Sequence, residues 1–282
     1  MQTLNSLSGG KTSSYIAANY PADHNVFALV TTKDKSCKFP DKKVRQKVAD
    51  KIGKDFIGTL EDDLIIYTMF DLEQYIGKEI NWVAGKYFDD IIISKNGSRY
   101  LPNVTQRFCT TELKLKPIYN WWKNNINEVV KVRIGFRANE TKRAFSMLNN
   151  TNSNGNIEMK DIVGKRKTQN KWANIEWQKP DFPLINDNIY KDQIELYWTD
   201  KKVRFAYMNN CVGCFHRNEV LLKFMSDKQP NKFNWFSKQE NFNDKIISFK
   251  KNTTYSKIKK TKFQFKLFES DFNDCDSGYC GL

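Results

Sequence analysis

The feature that most restricts the fold of this chain is the stretch SLSGGKTSS at Ser6–Ser14. Here a short apolar strand (Leu4–Leu7) passes through two glycines into a helix expected to start near Ser13. The glycines let the backbone approach an anion, and the exposed N–H groups and dipole of the following helix can hold it. Gly10–Thr12 also looks like the end of a Walker A loop, but that motif needs a glycine five positions before Gly10, where Asn5 stands. The shorter Ser-Gly-Gly-Lys-x-Ser loop fits without that gap. An ordinary Gly-rich N-cap is the competing structural reading, since Ser and Thr commonly cap helices.

Downstream, strands and helices alternate. Val26–Thr32 (VFALVTT) is a continuous apolar run suited to a strand covered on both faces. Asp41–Gly53 carries Val44, Val48 and Ile52 at steps of four and closes on glycine, which predicts a helix. DFIGTL reads as the next strand, Leu115–Ile126 as a helix and Val129–Arg137 as a strand with a loop at its carboxyl end. Such alternation implies βαβ units and an α/β fold, with a mostly parallel sheet and helices on both faces. Ligands in such folds collect at carboxyl strand ends, where both SGGKTS and GFRANE fall.

The polar stretch 149–171 reads as a basic surface loop of a domain spanning 1–220. After it, PLINDNIYKDQIELYW reads as a turn leading into a helix. Residues 221–282 form a Cys-rich, aromatic and basic C-terminal extension. Its lysines interleaved with aromatics suit an amphipathic segment with snorkelling lysines, or else base stacking.

The chain has 282 residues, enough for a substantial core, and no apolar run long enough to span a bilayer. No membrane association and a cytoplasmic location are therefore expected, and the six cysteines then favour free thiols or metal ligands over disulfides. The net charge of +14 suits nucleotides, nucleic acids and other anions as partners. Only His24 and His216 are present, so no Ser-His-Asp or Cys-His catalytic arrangement is credible.

The clearest chemical signal is CVGC at Cys211–Cys214 with CDSGYC at Cys275–Cys280. A C-x₂-C pair points two thiolates at one metal, and a distant pair can complete a tetrahedral site for zinc or iron–sulfur. Cys109 has basic neighbours in Arg107, Lys114 and Lys116 that would favour its thiolate. Cys37 reads as structural.

Together these motifs resemble the sulfonucleotide (PAPS/APS) reductase family within the N-type ATP pyrophosphatase, or PP-loop, superfamily, known also as adenine nucleotide alpha hydrolase-like. SLSGGKTSS looks like the PP-loop, and VFALVTTKDKSCKFPDKKV is similar to the second strand and the Phe-Pro loop after it. FCTTELKLKP matches Cys-x-x-x-x-Lys-x-x-Pro through Cys109, Lys114 and Pro117. GFRANETKRA matches the family's arginine segment through Gly135, Arg137, Glu140, Thr141, Arg143 and Ala144, and CVGC is the family's CxxC.

The resemblance implies an oxidoreductase that binds an adenine nucleotide (ATP, APS or PAPS) at Ser8, Gly9, Gly10, Lys11, Thr12 and Ser13. Arg107, Lys114, Arg137 and Arg143 would hold the sulfate or phosphate. Arginine suits that task because its planar fork pairs bidentately. Cys280, in a tail ending Tyr279-Cys280-Gly281-Leu282, would be the nucleophile, resolved by a thiol reductant such as thioredoxin. Cys109, Cys211, Cys214 and Cys275 would carry a [4Fe–4S] cluster, with zinc as the alternative. In a competing arrangement Cys211, Cys214, Cys275 and Cys280 form one closed site.

The chain departs from the family in having Thr12 where the pyrophosphatases usually have Asp, and in lacking the Glu and His that flank the family's terminal cysteine. An ATP-dependent sulfurtransferase that adenylates and thiolates nucleic acid is thus a second expectation. A non-catalytic nucleotide- or nucleic-acid-binding module is a third.

Overall fold

The computed structural model describes residues 1–94, 96–242 and 245–262. Its centre is a six-stranded sheet: β1 (Thr3–Leu7), β2 (His24–Ala28), β3 (Asn81–Val83), β4 (Val130–Arg133), β5 (Ile157–Arg166) and β6 (Gln169–Asp181), in the order β3-β2-β1-β4-β6-β5. Every neighbouring pair is parallel except β5/β6 at one edge.

Side chains alternate across a strand, so each central strand feeds two cores. Leu7 and Phe27 face one layer with α1 (Lys11–Asn19), α2 (Lys42–Ile52) and α3 (Leu64–Ile76). Leu4, Val26, Ala28, Val130 and Val132 face the other, with α4 (Lys116–Asn125) and α5 (Thr141–Leu148). Two-sided burial explains the continuous apolar character of these strands. Helices therefore flank both faces of a mostly parallel sheet, as the alternation predicts.

Helix α2 matches its sequence signals closely. The Asp41 carboxylate accepts from the N–H groups of Lys43 (2.7 Å) and Val44 (3.0 Å), and Gly53 ends the helix at φ 64°. Helix α1 begins two residues before the expected Ser13. The PLINDNIY region forms a short turn of helix, Pro183–Asn186, followed by α6 (Lys191–Trp198).

Three expectations need correction. The run Val26–Thr32 is a strand only as far as Ala28; Thr31–Thr32 leaves the sheet to pair with Gly58–Thr59. DFIGTL contributes only that two-residue strand, and at Gly58 the Cys37 carbonyl leaves no room for a Cβ. The stretch 149–171 is not a loop: most of it forms the antiparallel β5/β6 hairpin, turning at Lys167, which has φ 55°.

The C-terminal helices α7 (Glu219–Lys228), α8 (Pro230–Gln239) and α9 (Tyr255–Lys260) build a third core. In it Phe233, Trp235, Phe236 and Tyr255 pack with Val30, Leu60, Phe88 and Leu113 from the first half of the chain, and with Val212 and Phe215 around the CxxC turn. Phe233, Trp235 and Phe236 of KFNWFSKQENF thus serve that core. No helix among the described residues is long and apolar enough to cross a membrane.

Candidate functional site

From β1 the chain winds outward to β2 and β3, then returns to lay β4 on the opposite side of β1. That reversal opens a crevice at the carboxyl ends of β1 and β4. The Gly9–Lys11 turn leaves β1 there and the Gly135–Arg137 segment leaves β4 beside it, the two strands being paired through Asn5 and Arg133.

The turn is locked by Ser13. Its Oγ accepts the Ser8 N–H at 3.2 Å, lies 3.0 Å from Ser8 Oγ and donates to the Gly10 carbonyl at 3.1 Å. Gly9 sits at φ 79°, in the left-handed region, and a Cβ there would lie 2.5 Å from Ile65 Cγ2. Glycine is therefore required twice over, by dihedral and by space. Gly10 caps α1 without a side chain, which leaves the amide end of the helix facing the crevice. Thr12 and Ser13 are buried behind it. Lys11 pairs with Glu195 of α6, and Trp198 Nε1 donates to the Lys11 carbonyl at 3.0 Å. Lys11 and Glu195, with Gly10, Phe205, Tyr207 and Asn209, line one cavity.

On the β4 side, one carboxylate organises both arginines. Glu140 accepts from Arg137 N–H and Nε, each at 2.9 Å, and pairs with Arg143, whose guanidinium lies 4.4 Å above the Phe136 ring. Burial pushes the Glu140 carboxyl up, but the Arg137 N–H and the two guanidinium charges outweigh it and hold its pKa below the usual range.

A second cavity lies against the C-terminal core. Cys109, Cys211 and Cys214 line it with Arg107, Lys114 and His216. The CxxC turn is held from three sides. Val212 N–H donates to the Leu60 carbonyl at 2.8 Å, Tyr255 OH to the Gly213 carbonyl at 2.8 Å, and Lys250 Nζ to the carbonyls of Phe215 and Arg217. Gly213 packs so closely on the Phe236 ring that no Cβ fits. Asn209 and Asn210 join the two cavities, the first lining the Lys11 side and the second the thiol side.

The charges around the thiols differ from the sequence expectation. Burial, followed by the neighbouring Cys214, pushes the Cys109 thiol up to about 11, and the adjacent Arg107 only partly offsets this. Arg107 thus favours the Cys109 thiolate, as its position in the sequence implies, but burial outweighs it. Burial also raises Cys211 well above its usual value, helped by the Glu61 carboxylate. His216 is pushed down to about 4 by burial and then by Arg107, Lys250 and Arg217, so it is neutral near pH 7.

Lys114 is committed to Glu61 at 2.9 Å. Burial alone would discharge it, but the Glu61 carboxylate outweighs that cost and keeps it protonated. Arg107 is placed differently. It senses Cys109, Cys214 and Arg143 together, and its Nε is buried with no hydrogen-bond partner.

Of the predicted site residues, Gly10 and Lys11 line one cavity and Arg107, Cys109, Lys114, Cys211 and Cys214 line the other, while Ser8, Gly9, Thr12 and Ser13 shape the β1 turn and Arg137 and Arg143 are held by Glu140 after β4. Cys275 and Cys280 lie outside the described residues. Cys37 is buried elsewhere, its Sγ 3.9 Å from the Asn231 carbonyl, and burial raises it to about 11. Three thiols on one cavity wall suit iron or zinc in donor chemistry. Among the described residues, however, no group of three or more His, Cys, Asp or Glu side chains is gathered to hold a metal. Sequence reasoning missed Glu61, Glu195 and Asn209, since isolated polar residues carry no local motif. Comparison of the chain with protein-family models, curated proteins and solved structures finds no match.

Proposed function

We propose that this chain is a PP-loop enzyme of the sulfonucleotide reductase type, binding an adenine sulfonucleotide in the β1/β4 crevice and releasing sulfite. The observation that carries this reading is that the Gly9–Lys11 turn and the segment bearing Arg137 leave two neighbouring strands at the strand-order reversal, with three thiols lining a nearby cavity. The amides of the turn and Lys11 hold the nucleotide phosphate, displacing Glu195. Arg107, whose buried Nε awaits an acceptor, and the arginine pair hold the sulfonate.

The Cys280 thiolate attacks the sulfonate sulfur. An S–S bond forms, the bond from sulfur to the bridging phosphate oxygen breaks, and the electron pair departs with the nucleotide phosphate. A thiol of a reductant such as thioredoxin then attacks the Cys280 sulfur and expels sulfite. The resulting mixed disulfide is resolved by the reductant's second thiol. Cys109, Cys211 and Cys214, with Cys275, are the donors that would carry a [4Fe–4S] cluster or zinc.

The test is incubation of the full chain with APS, PAPS or ATP, with and without thioredoxin. Sulfite formation lost in Cys280→Ser supports the proposal. AMP and pyrophosphate from ATP with no sulfite would replace it by an ATP-dependent sulfurtransferase. Nucleotide binding with no turnover would replace it by a binding module.

A further inference from the structure

The β5/β6 hairpin runs well past the sheet that supports it. Strand β6 pairs with β4 only through Gln178–Asp181, whereas its pairing with β5 continues out to Arg166 and Gln169. The base of the hairpin is anchored. Trp177 is buried against Tyr119 and Trp122, and Asp161 accepts from Tyr119 OH at 3.0 Å and Lys123 Nζ at 2.7 Å. Beyond that anchor every residue from Ile162 to Trp172 is exposed. At about 3.3 Å per residue this is a two-stranded ribbon projecting roughly 15 Å.

The exposed segment carries Lys165, Arg166, Lys167 and Lys171 and no acidic residue. Register decides how the cations are distributed. Residues opposite one another share a face, so Lys165 and Asn170 lie on the face that holds Ile162, Trp172 and Lys160. Arg166 and Lys171 occupy the other. Charged edge residues can serve only to prevent strand-to-strand aggregation. That role does not account for Ile162, Val163 and Trp172, all exposed on the same ribbon, with Trp172 at 53%.

We infer that this ribbon is a DNA-binding arm that enters the major groove of a duplex. The major groove, about 12 Å wide, admits a two-stranded ribbon, whereas the A-form RNA groove is too narrow for one. Cations on both faces suit a ribbon contacting phosphates on both groove walls. A stacking platform for single strands needs successive aromatics, whereas the exposed segment Ile162–Trp172 carries one, Trp172, with Lys160 Nζ 5.8 Å from its ring centroid. The apolar side chains can meet thymine methyl groups and sugars. This inference stands apart from the nucleotide reading, since it uses no residue of the crevice.

The test is fluorescence anisotropy of the full chain with a labelled duplex of about 20 base pairs over a salt series. Lys165→Gln/Arg166→Gln/Lys171→Gln should weaken binding about ten-fold or more, and should make the slope of log affinity against log salt shallower by about 3. The matching Lys165→Arg/Lys171→Arg protein should bind like the parent. ATP binding and the melting temperature of the triple variant should be unchanged. If the triple variant melts early, the three single substitutions carry the same test, each lowering the slope by about 1. Unchanged duplex affinity and slope would overturn the proposal, as would tighter binding to a single strand or an RNA stem-loop. Failure here leaves the sulfite assay untouched, and failure there leaves this one untouched.

Discussion

The Lys114 ammonium lies 2.9 Å from the carboxylate of Glu61, a residue with no solvent exposure whose backbone bridges to Cys211. The same segment is tied to the C-terminal region, because Lys232 donates to the Glu61 carbonyl at 2.6 Å and to Asp63 at 2.7 Å. The CxxC turn thus rests on a buried, charge-balanced junction between the two halves of the chain.

Removing one charge from that junction strands the other. Lys114→Met should destabilise the protein by about 3–5 kcal/mol in chemical denaturation, and Lys114→Met/Glu61→Gln should recover most of the loss. Equal stability of the single and double variants would refute the coupling.

Gly9→Ala forces a Cβ into the left-handed region and against Ile65 Cγ2. The dihedral alone costs about 1–2 kcal/mol, with the overlap in addition. The melting temperature should fall and ATP binding should be lost. In a double-mutant cycle, Ile65→Ala should relieve part of the Gly9→Ala penalty, leaving the dihedral part.

Glu195→Gln should separate ligand binding from stability. The Lys11–Glu195 pair is about a third exposed on each side, so its contribution to folding is about 0–1 kcal/mol. A phosphate must compete with the same carboxylate for Lys11. The variant should therefore melt within a few degrees of the parent and bind ATP several-fold more tightly in titration calorimetry. Weaker binding would count against the proposed role of Lys11.

Acid should loosen the β4 side of the crevice. The Glu140 pKa is held below its unfolded value, so the stability it supplies is fully present above about pH 4.3 and is lost as pH falls through the lower folded value. Thermal unfolding across that range should show a steeper acid loss in the parent than in Glu140→Gln. Identical profiles would exclude Glu140 as a contributor.

The sequence made some parts of this architecture legible and hid others, for physical reasons. Helix α2 announces itself because its cap, its apolar period and its terminal glycine are all local. The Ser6–Ser14 loop is readable for the same reason. The hairpin at 157–181 is hidden because its distal residues are polar and supported on neither face, so no two-residue alternation marks them as strand. The Cys109 environment misleads in the opposite direction. Adjacent basic residues are visible in sequence, whereas the core that buries Cys109 and overrides them is assembled from Val30, Phe88 and the helices beyond position 218. Glu61 and Glu195 become meaningful only once the fold lays them beside Lys114 and Lys11.

The third core has a consequence for how the molecule comes apart. Helices α7, α8 and α9 share one apolar interior with the CxxC turn, and Tyr255, the first residue of α9, is hydrogen-bonded to Gly213 inside that turn. The carboxyl-terminal helices and the thiol wall should therefore open as one unit. Slow-exchanging amides around Val212 should lose their protection together with those of α8, while the amides of β1 and β2, packed in separate interiors, keep theirs.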